Sequence, residues 1–350
     1  MASASSGVVL SRSSAYTESL TDSLAMGKGN YLYAFVKNND RESSRSIWIN
    51  ITCDGDIESG RNPIALQATQ EKYNFEVTTT EISAVAEEKT GSITKTFTVI
   101  CSGKWEIDLG SYSSWLECTP SSGESDTNSQ ITVKISPNPQ KYARTGVISV
   151  KSVDLKKTYR INVSQEYVQF DPITPQTLNF VAVPSEPQTI KIVCNGSWEY
   201  DKTESEIDPF VTPNSGFGDA IVEILPPPNY DVSKAIDKKI SFKNPVSGAE
   251  QLVSIKMEKY EFTTSVNDGT LTYLKAGGEK EIQVTCSGEW DFSVQQNDWF
   301  TCDRQGDKLI GTAKSNEGDG ERTVKITITS KDNPNLTDKP IEIVVKQSGK

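Results

Sequence analysis

Histidine does not occur in this 350-residue sequence. Its absence removes Ser-His-Asp and Cys-His triads, histidine-ligated zinc or haem, and any imidazole base. Long apolar runs are missing too. Val8-Val9-Leu10 is the longest near the start, short of the roughly 7–15 residues a secretory leader needs, so none is expected there. Nowhere do about 18 apolar residues follow one another, which argues against a membrane-spanning helix and membrane insertion. Positive charge is in short supply. With 36 Lys and Arg against 47 Asp and Glu, the net charge is -11, so nucleic acid is not an expected partner. No Gly-x-x-x-x-Gly-Lys-Ser/Thr phosphate cradle occurs. Two readings follow: a mature fragment whose leader was removed or, favoured by Met1, a chain made in a cytoplasm.

Cysteine is sparse: Cys53, Cys101, Cys118, Cys194, Cys286 and Cys302. The similar spacing of Cys101–Cys118 and Cys286–Cys302 admits two intradomain disulfides. Cys194, however, has Thr212 at the matching place, and buried free thiols are the simpler reading. Metal-site candidates are equally thin. Asp54-Gly-Asp56-Ile-Glu58-Ser-Gly60 has the acidity of a calcium loop but carries Ser59 and Ala65 where an EF-hand needs Gly and Glu. Asn316-Glu-Gly-Asp-Gly-Glu321 is similar. Four Asn-x-Ser/Thr triplets, such as Asn195-Gly-Ser197, are what chance gives in so Ser-rich a chain. No catalytic, cofactor-binding or metal-binding residue is therefore nominated, and the chain reads as no enzyme.

Repetition is abundant. Cys101-Ser-Gly-Lys-Trp105 returns as Cys194-Asn-Gly-Ser-Trp198 and Cys286-Ser-Gly-Glu-Trp290, a spacing of about 93 residues. An apolar pair follows each Trp: Trp115-Leu116, Phe210-Val211 and Trp299-Phe300. A glycine comes next, at Gly123, Gly216 and Gly306. Units open at Tyr73, Tyr167 and Tyr260. Asn138 precedes Arg144, and Asn316 precedes Arg322, by the same six-residue step that separates Asn39 from Arg45. This divides the chain into 1–72, 73–167, 168–259 and 260–350, the first holding only the back half of a unit.

Inside the units the apolar residues alternate, as in Phe97, Val99, Cys101 and in Val324, Ile326, Ile328. Alternation rich in Thr, Val and Ile, broken by turns such as Pro120-Ser-Ser-Gly123, specifies strands with one buried face. The fold class is all-β: tandem immunoglobulin-like sandwiches. Because Gln165-Glu-Tyr167 and its counterparts leave almost no linker, an elongated array is expected. Trp105, Ile107 and Leu109 share a strand face, so the recurring Trp should fill the core. The Arg at 45, 144 and 322 should clamp a carbonyl or stack on a ring.

These residues resemble BACON domains: Trp105, Trp115-Leu116, Ser122-Gly123, Asn138, Arg144-Thr-Gly146 and Ser164-Gln165 carry the pattern. Residues 260–350 follow it well. Residues 168–259 depart from it at Phe210, Pro226-Pro-Pro228 and Met257. The resemblance implies carbohydrate binding or spacing, with host or mucin glycans as candidate ligands. It also implies one of two settings. One is a virion accessory protein of a crAss-like Bacteroides phage, such as a head fibre or capsid decoration protein. The other is a binding or spacer array on a Bacteroidetes cell surface. In the short first unit, Ile47, Ile49, Ile51, Ile64 and Leu66 would form an uncovered face beside Tyr31, Tyr33 and Phe35. Residues 1–72 are thus expected to attach the chain to capsid or other virion proteins, or to join copies in a homo-oligomer. Alternatively, the Ser-rich arm folds back and completes a small sheet.

Overall fold

The computed structural model describes residues 2–4, 8–11, 23–24, 32–37, 39–52, 64–124 and 128–349. Six strands come from the first 70 residues: β1 (Ala2–Ala4), β2 (Val8–Ser11), β3 (Ser23–Leu24), β4 (Tyr33–Val36), β5 (Arg45–Ile51) and β6 (Ile64–Gln70). Nine follow: β7 (Phe75–Val77), β8 (Glu81–Ala84), β9 (Ile93–Cys101), β10 (Trp105–Asp108), β11 (Leu116–Thr119), β12 (Ser122–Gly123), β13 (Ser129–Ile135), β14 (Arg144–Ser152) and β15 (Thr158–Gln165).

These nine make one complete sandwich. One sheet runs β12-β10-β14-β15-β8 and the other β11-β13-β9-β7. All pairs are antiparallel except β15 with β8. The alternating residues read from the sequence face inward: Phe97, Val99, Cys101, Ile131, Val133, Ile135, Ile148, Val150, Ile161 and Val163 form one buried cluster. At about 1.5–3 kcal/mol for each buried aliphatic side chain, this cluster is what commits the strands to their register. All-β immunoglobulin-like architecture is thus observed as the alternation implies.

Residues 168–350 hold two more sandwiches. In the first, the sheet through Ile236–Lys243 has Glu250–Met257 beside it, and Thr177–Phe180 pairs in parallel with that last strand. In the second, Ile341–Gln347 plays that part, with Thr270–Tyr273 parallel to it. Every complete unit therefore ends with its last strand covered by a short parallel strand from its own beginning.

The N-terminal segment builds the same frame from fewer strands. Its sheet runs β3-β1-β5-β6, with β2 paired to β4. In chain order β1 to β6 stand where β10 to β15 stand in the next unit: β1 pairs with both β5 and β3, as β10 pairs with β14 and β12. Of these, Ala2–Ala4 and Val8–Ser11 come from the Ser-rich arm and, with Ser23–Leu24, supply three of the strands, in line with the alternative of a small sheet completed by the arm itself. Val8 and Leu10 are buried against Leu32, Ile47, Ile49 and Ile51, covering most of the face the sequence leaves open. Tyr31 and the acidic loop Asp54–Gly60 lie outside the described residues. Counterparts of β7, β8 and β9 are lacking among the described residues.

The cysteines that are described are free thiols. Cys118 stands opposite Val133, which stands opposite Lys95. Cys101 lies six residues further along β9, roughly 20 Å away. Cys302, Gly311 and Lys280 repeat that geometry, with Cys286 six residues on. A disulfide needs Cα atoms within about 7 Å. Burial pushes the thiols of Cys118 and Cys302 up to about 11. Cys118 and Cys302 should therefore react slowly with a thiol reagent at pH 8 and fully once the chain is unfolded, and reductant should leave the melting temperature unchanged. A fall of several degrees on reduction would reveal a bridge.

Candidate functional site

The residues that recur across the units converge on their ends. Four asparagines, Asn39, Asn138, Asn229 and Asn316, are nearly inaccessible. Each amide spans the loop before a strand and the end of the unit's last strand. Asn138 Nδ2 donates to Tyr142 O (3.0 Å) and Glu166 O (2.8 Å), and its Oδ1 accepts from Gln140 N (3.0 Å). Asn229 makes the same set with Lys234 O, Glu258 O and Asp231 N, and Asn316 with Gly320 O, Ser348 O and Gly318 N. The acidic stretch around Asn316 is thus a loop tied by its own asparagine. Outside residues 168–259, a glutamine at the strand end holds the arginine: Arg144 Nε donates to Gln165 Oε1 at 2.7 Å, Arg322 Nε to Gln347 Oε1 at 2.9 Å, and Arg45 Nε to Gln70 Oε1 at 2.8 Å.

That arginine does both things the sequence suggests. Arg144 Nη2 bonds Ser136 O and Pro137 O, while its guanidinium lies 4.2 Å from the Trp115 ring. Arg322 does the same over Trp299 at 4.4 Å. The middle unit has Ile236 at this place, and there Phe210 is 66% exposed. Its position carries an aromatic in every complete unit, but without the guanidinium lid it does not pack. The sequence presents all three as members of an apolar pair, and Phe210 is the exception in being exposed.

The Cys-x-Gly-x-Trp motif is explained atom by atom. Trp105, Trp198 and Trp290 are all buried, as the strand alternation requires. A Cβ on Gly123 would stand 2.7 Å from the Trp105 ring, so only glycine fits there, and Gly216 stands likewise over Trp198. The third unit solves the problem differently. Arg304 lies 3.7 Å from the Trp290 ring and donates to Trp290 O, while Gly306 turns the neighbouring hairpin at φ 62°. Gly103 and Gly288 leave room for Asp154 and Asp332. These carboxylates accept from the Tyr73 and Tyr260 hydroxyls at 2.9 and 2.7 Å and from the N–H of Lys104 and Glu289. Burial pushes both phenols well above the usual tyrosine range, and the neighbouring thiols of Cys101 and Cys286 add to it. Sequence reasoning missed Asp154, Asp332 and Arg304. The two aspartates were findable, since each follows its arginine by the same ten-residue step.

No group of three His, Cys, Asp or Glu that could hold a metal exists among the described residues. Among the described residues, a groove of about 370 Å³ is lined by Glu81, Ser83, Tyr112, Thr145, Gly146, Val147, Asn162, Val163 and Ser164. Tyr112 is half-buried beside Trp115, edge to face at 6.5 Å. A side chain on Gly146 would collide with both rings. The groove thus pairs an aromatic edge with exposed hydroxyl, amide and carboxylate groups.

Residues 105–166 match the BACON family, described as "Putative binding domain, N-terminal". The BACON segment runs from the core Trp105 to the end of β15 and so includes Tyr112, Thr145, Asn162 and Ser164. No curated protein sequence matches the chain. Among solved structures, the I9–I11 tandem of titin is 8% identical over 79% of this chain and 99% of its own, with a TM-score of 0.40. A Bacteroides ovatus GH5 xyloglucanase in complex with a XXXG heptasaccharide is 17% identical over 33% of this chain and 23% of its own, at 0.24. Zebrafish RET cadherin-like domains 1 to 4 are 7% identical over 89% and 83%, at 0.30.

The burial of Trp105 inside the BACON segment makes a direct prediction. Trp105→Ala should cost about 3–5 kcal/mol and unfold residues 73–167 early in a denaturant titration. A variant that unfolds like the wild type would place the ring outside the core.

Proposed function

We propose that the chain is a non-catalytic array of BACON-like immunoglobulin-like modules working outside a cell, with a small saccharide as ligand of the Tyr112 groove. The observation that carries this reading is the composition of that groove. Saccharides present apolar C–H faces and many hydroxyls, and they suit an aromatic edge flanked by Glu81, Asn162, Ser164 and Thr145. A volume of about 370 Å³ lies at the small end of ligand sites. The recurring Trp and Arg are spent on packing and backbone carbonyls, which supports a spacer role for the other units.

A second reading sets the same array on a phage particle, attached through residues 1–72. It is favoured by one observation, the open strand edge of the first unit described below. Mass spectrometry of purified particles and of bacterial envelope fractions separates the two settings.

The saccharide reading is tested by titrating the full chain with neutral oligosaccharides and mucin-type glycans. Binding is expected, weakened at least tenfold by Tyr112→Ala or Asn162→Ala with little change in melting temperature. Failure of every sugar to bind, or unchanged affinity in both variants, overturns the groove assignment.

A further inference from the structure

The N-terminal unit carries a strand slot that each complete unit fills for itself. In the complete units the residue four places before the end of the last strand is Ile161, Val253 or Ile343, each wholly buried. Leu66 holds that position in β6 and is 54% exposed, with Ile64 beside it at 50%. Besides facing strands such as β7 and β9, the complete units have one more neighbour here. Beyond β15 stands β8, in parallel register Val163↔Ile82 and Gln165↔Ala84. The corresponding pairs are Ile255↔Leu178 and Met257↔Phe180, then Val345↔Leu271 and Gln347↔Tyr273. Among the described residues nothing stands beyond β6, the last strand of its sheet.

The receiving groups are in place. Glu166 N and Asn162 N donate to Ala84 O and Thr80 O across the parallel pair. Glu71 and Gln67 occupy the same positions in the first unit, and by the two-residue alternation Thr69 N points the same way. The terminal glutamine also reads the incoming strand in complete units: Gln165 Nε2 donates to Ala86 O, and Gln347 Nε2 to Leu274 O and Lys275 O. Among the described residues, Gln70 Nε2 donates to Lys37 O within its own unit. β6, Ile-Ala-Leu-Gln-Ala-Thr-Gln, is seven residues long and bears no charge or proline to deter pairing.

We propose that β6 is an acceptor edge for an extended segment of another protein. That segment adds in parallel opposite Gln67–Gln70 and places apolar side chains opposite Ala68 and Gln70. Main-chain hydrogen bonds supply the affinity and the alternating side chains the selectivity. The pattern demanded is the one the three complete units display: Ile-x-Ala, Leu-x-Phe or Leu-x-Tyr in the middle of a short strand, with a free carbonyl two residues on for Gln70. Edge-to-edge pairing of two copies through β6 is the competing outcome. The proposal stands whether or not the Tyr112 groove takes a sugar.

A labelled synthetic peptide of residues 79–87, the strand that fills this slot in the second unit, tests it by fluorescence anisotropy with the full chain. Saturable one-to-one binding is expected. A peptide with Ile82→Asp and Ala84→Asp should bind at least tenfold more weakly. Thr69→Pro removes an outward N–H at an edge strand, where proline is tolerated, and should abolish binding while the melting temperature holds. Ala68→Asp, on an exposed side chain, gives the same answer should the proline disturb folding. Absence of binding, or binding indifferent to both substitutions, overturns the proposal. So does a dimer in light scattering that Ala68→Asp dissolves, since the occupant would then be a second copy.

Discussion

A buried asparagine amide at the end of each sandwich is the constraint on which the rest depends. A side-chain amide shut away from water must find partners for its donors and its acceptor, because each one left unmade costs about 1–3 kcal/mol. Asn39, Asn138, Asn229 and Asn316 meet this with backbone groups alone, from the loop they sit in and from the residue just past the last strand. That fixes where the chain leaves one unit. It also shapes the loop that the next unit uses: Tyr73 N donates to Arg41 O, and Tyr260 N to Asp231 O. Arg41 and Asp231 are the residues whose own N–H groups the asparagine carbonyls hold.

The opening tyrosine then carries the constraint into the next core. Tyr260 is almost wholly buried, bonds Asp332 and Ser330, and lies 6.1 Å from the Tyr230 ring. Asn333 adds a bond to Tyr230 O, and Ala182, Leu336 and Phe262 close the contact. The junction between 168–259 and 260–350 is therefore packed and hydrogen-bonded. Such a joint explains why no Gly- or Ser-rich linker separates these units.

Much of this was legible in the sequence, for definite reasons. Period-two runs of Ile, Val and Thr identify the strands because one face must be apolar, and the 93-residue recurrence of Cys-x-Gly-x-Trp marks the units. Trp105, Trp198 and Trp290 are in the core as the shared strand face requires. The arm was less readable: Ala2-Ser-Ala4 pairs through its backbone and offers no apolar alternation. The Tyr–Asp pairs join residues about 70–80 apart in sequence, a separation at which periodicity is silent. Phe210 shows the limit of aligning by type, since its exposure follows from Ile236 standing where the other units have arginine. The Tyr112 groove combines residues from β8, β14, β15 and a 3-10 turn at Gly110–Ser114, and only folding brings them together.

Asn229 couples residues 168–259 to residues 260–350 through the Asp231 loop that Tyr260 binds. Hydrogen exchange on Asn229→Ala, compared with the wild type by mass spectrometry, measures this coupling directly. The substitution leaves Lys234 O, Glu258 O and Asp231 N without their partner, so exchange should rise in the Asn229 loop and also at Tyr260–Thr264, in the following unit. Faster exchange confined to residues 168–259, with Tyr260–Thr264 as protected as before, would contradict the coupling.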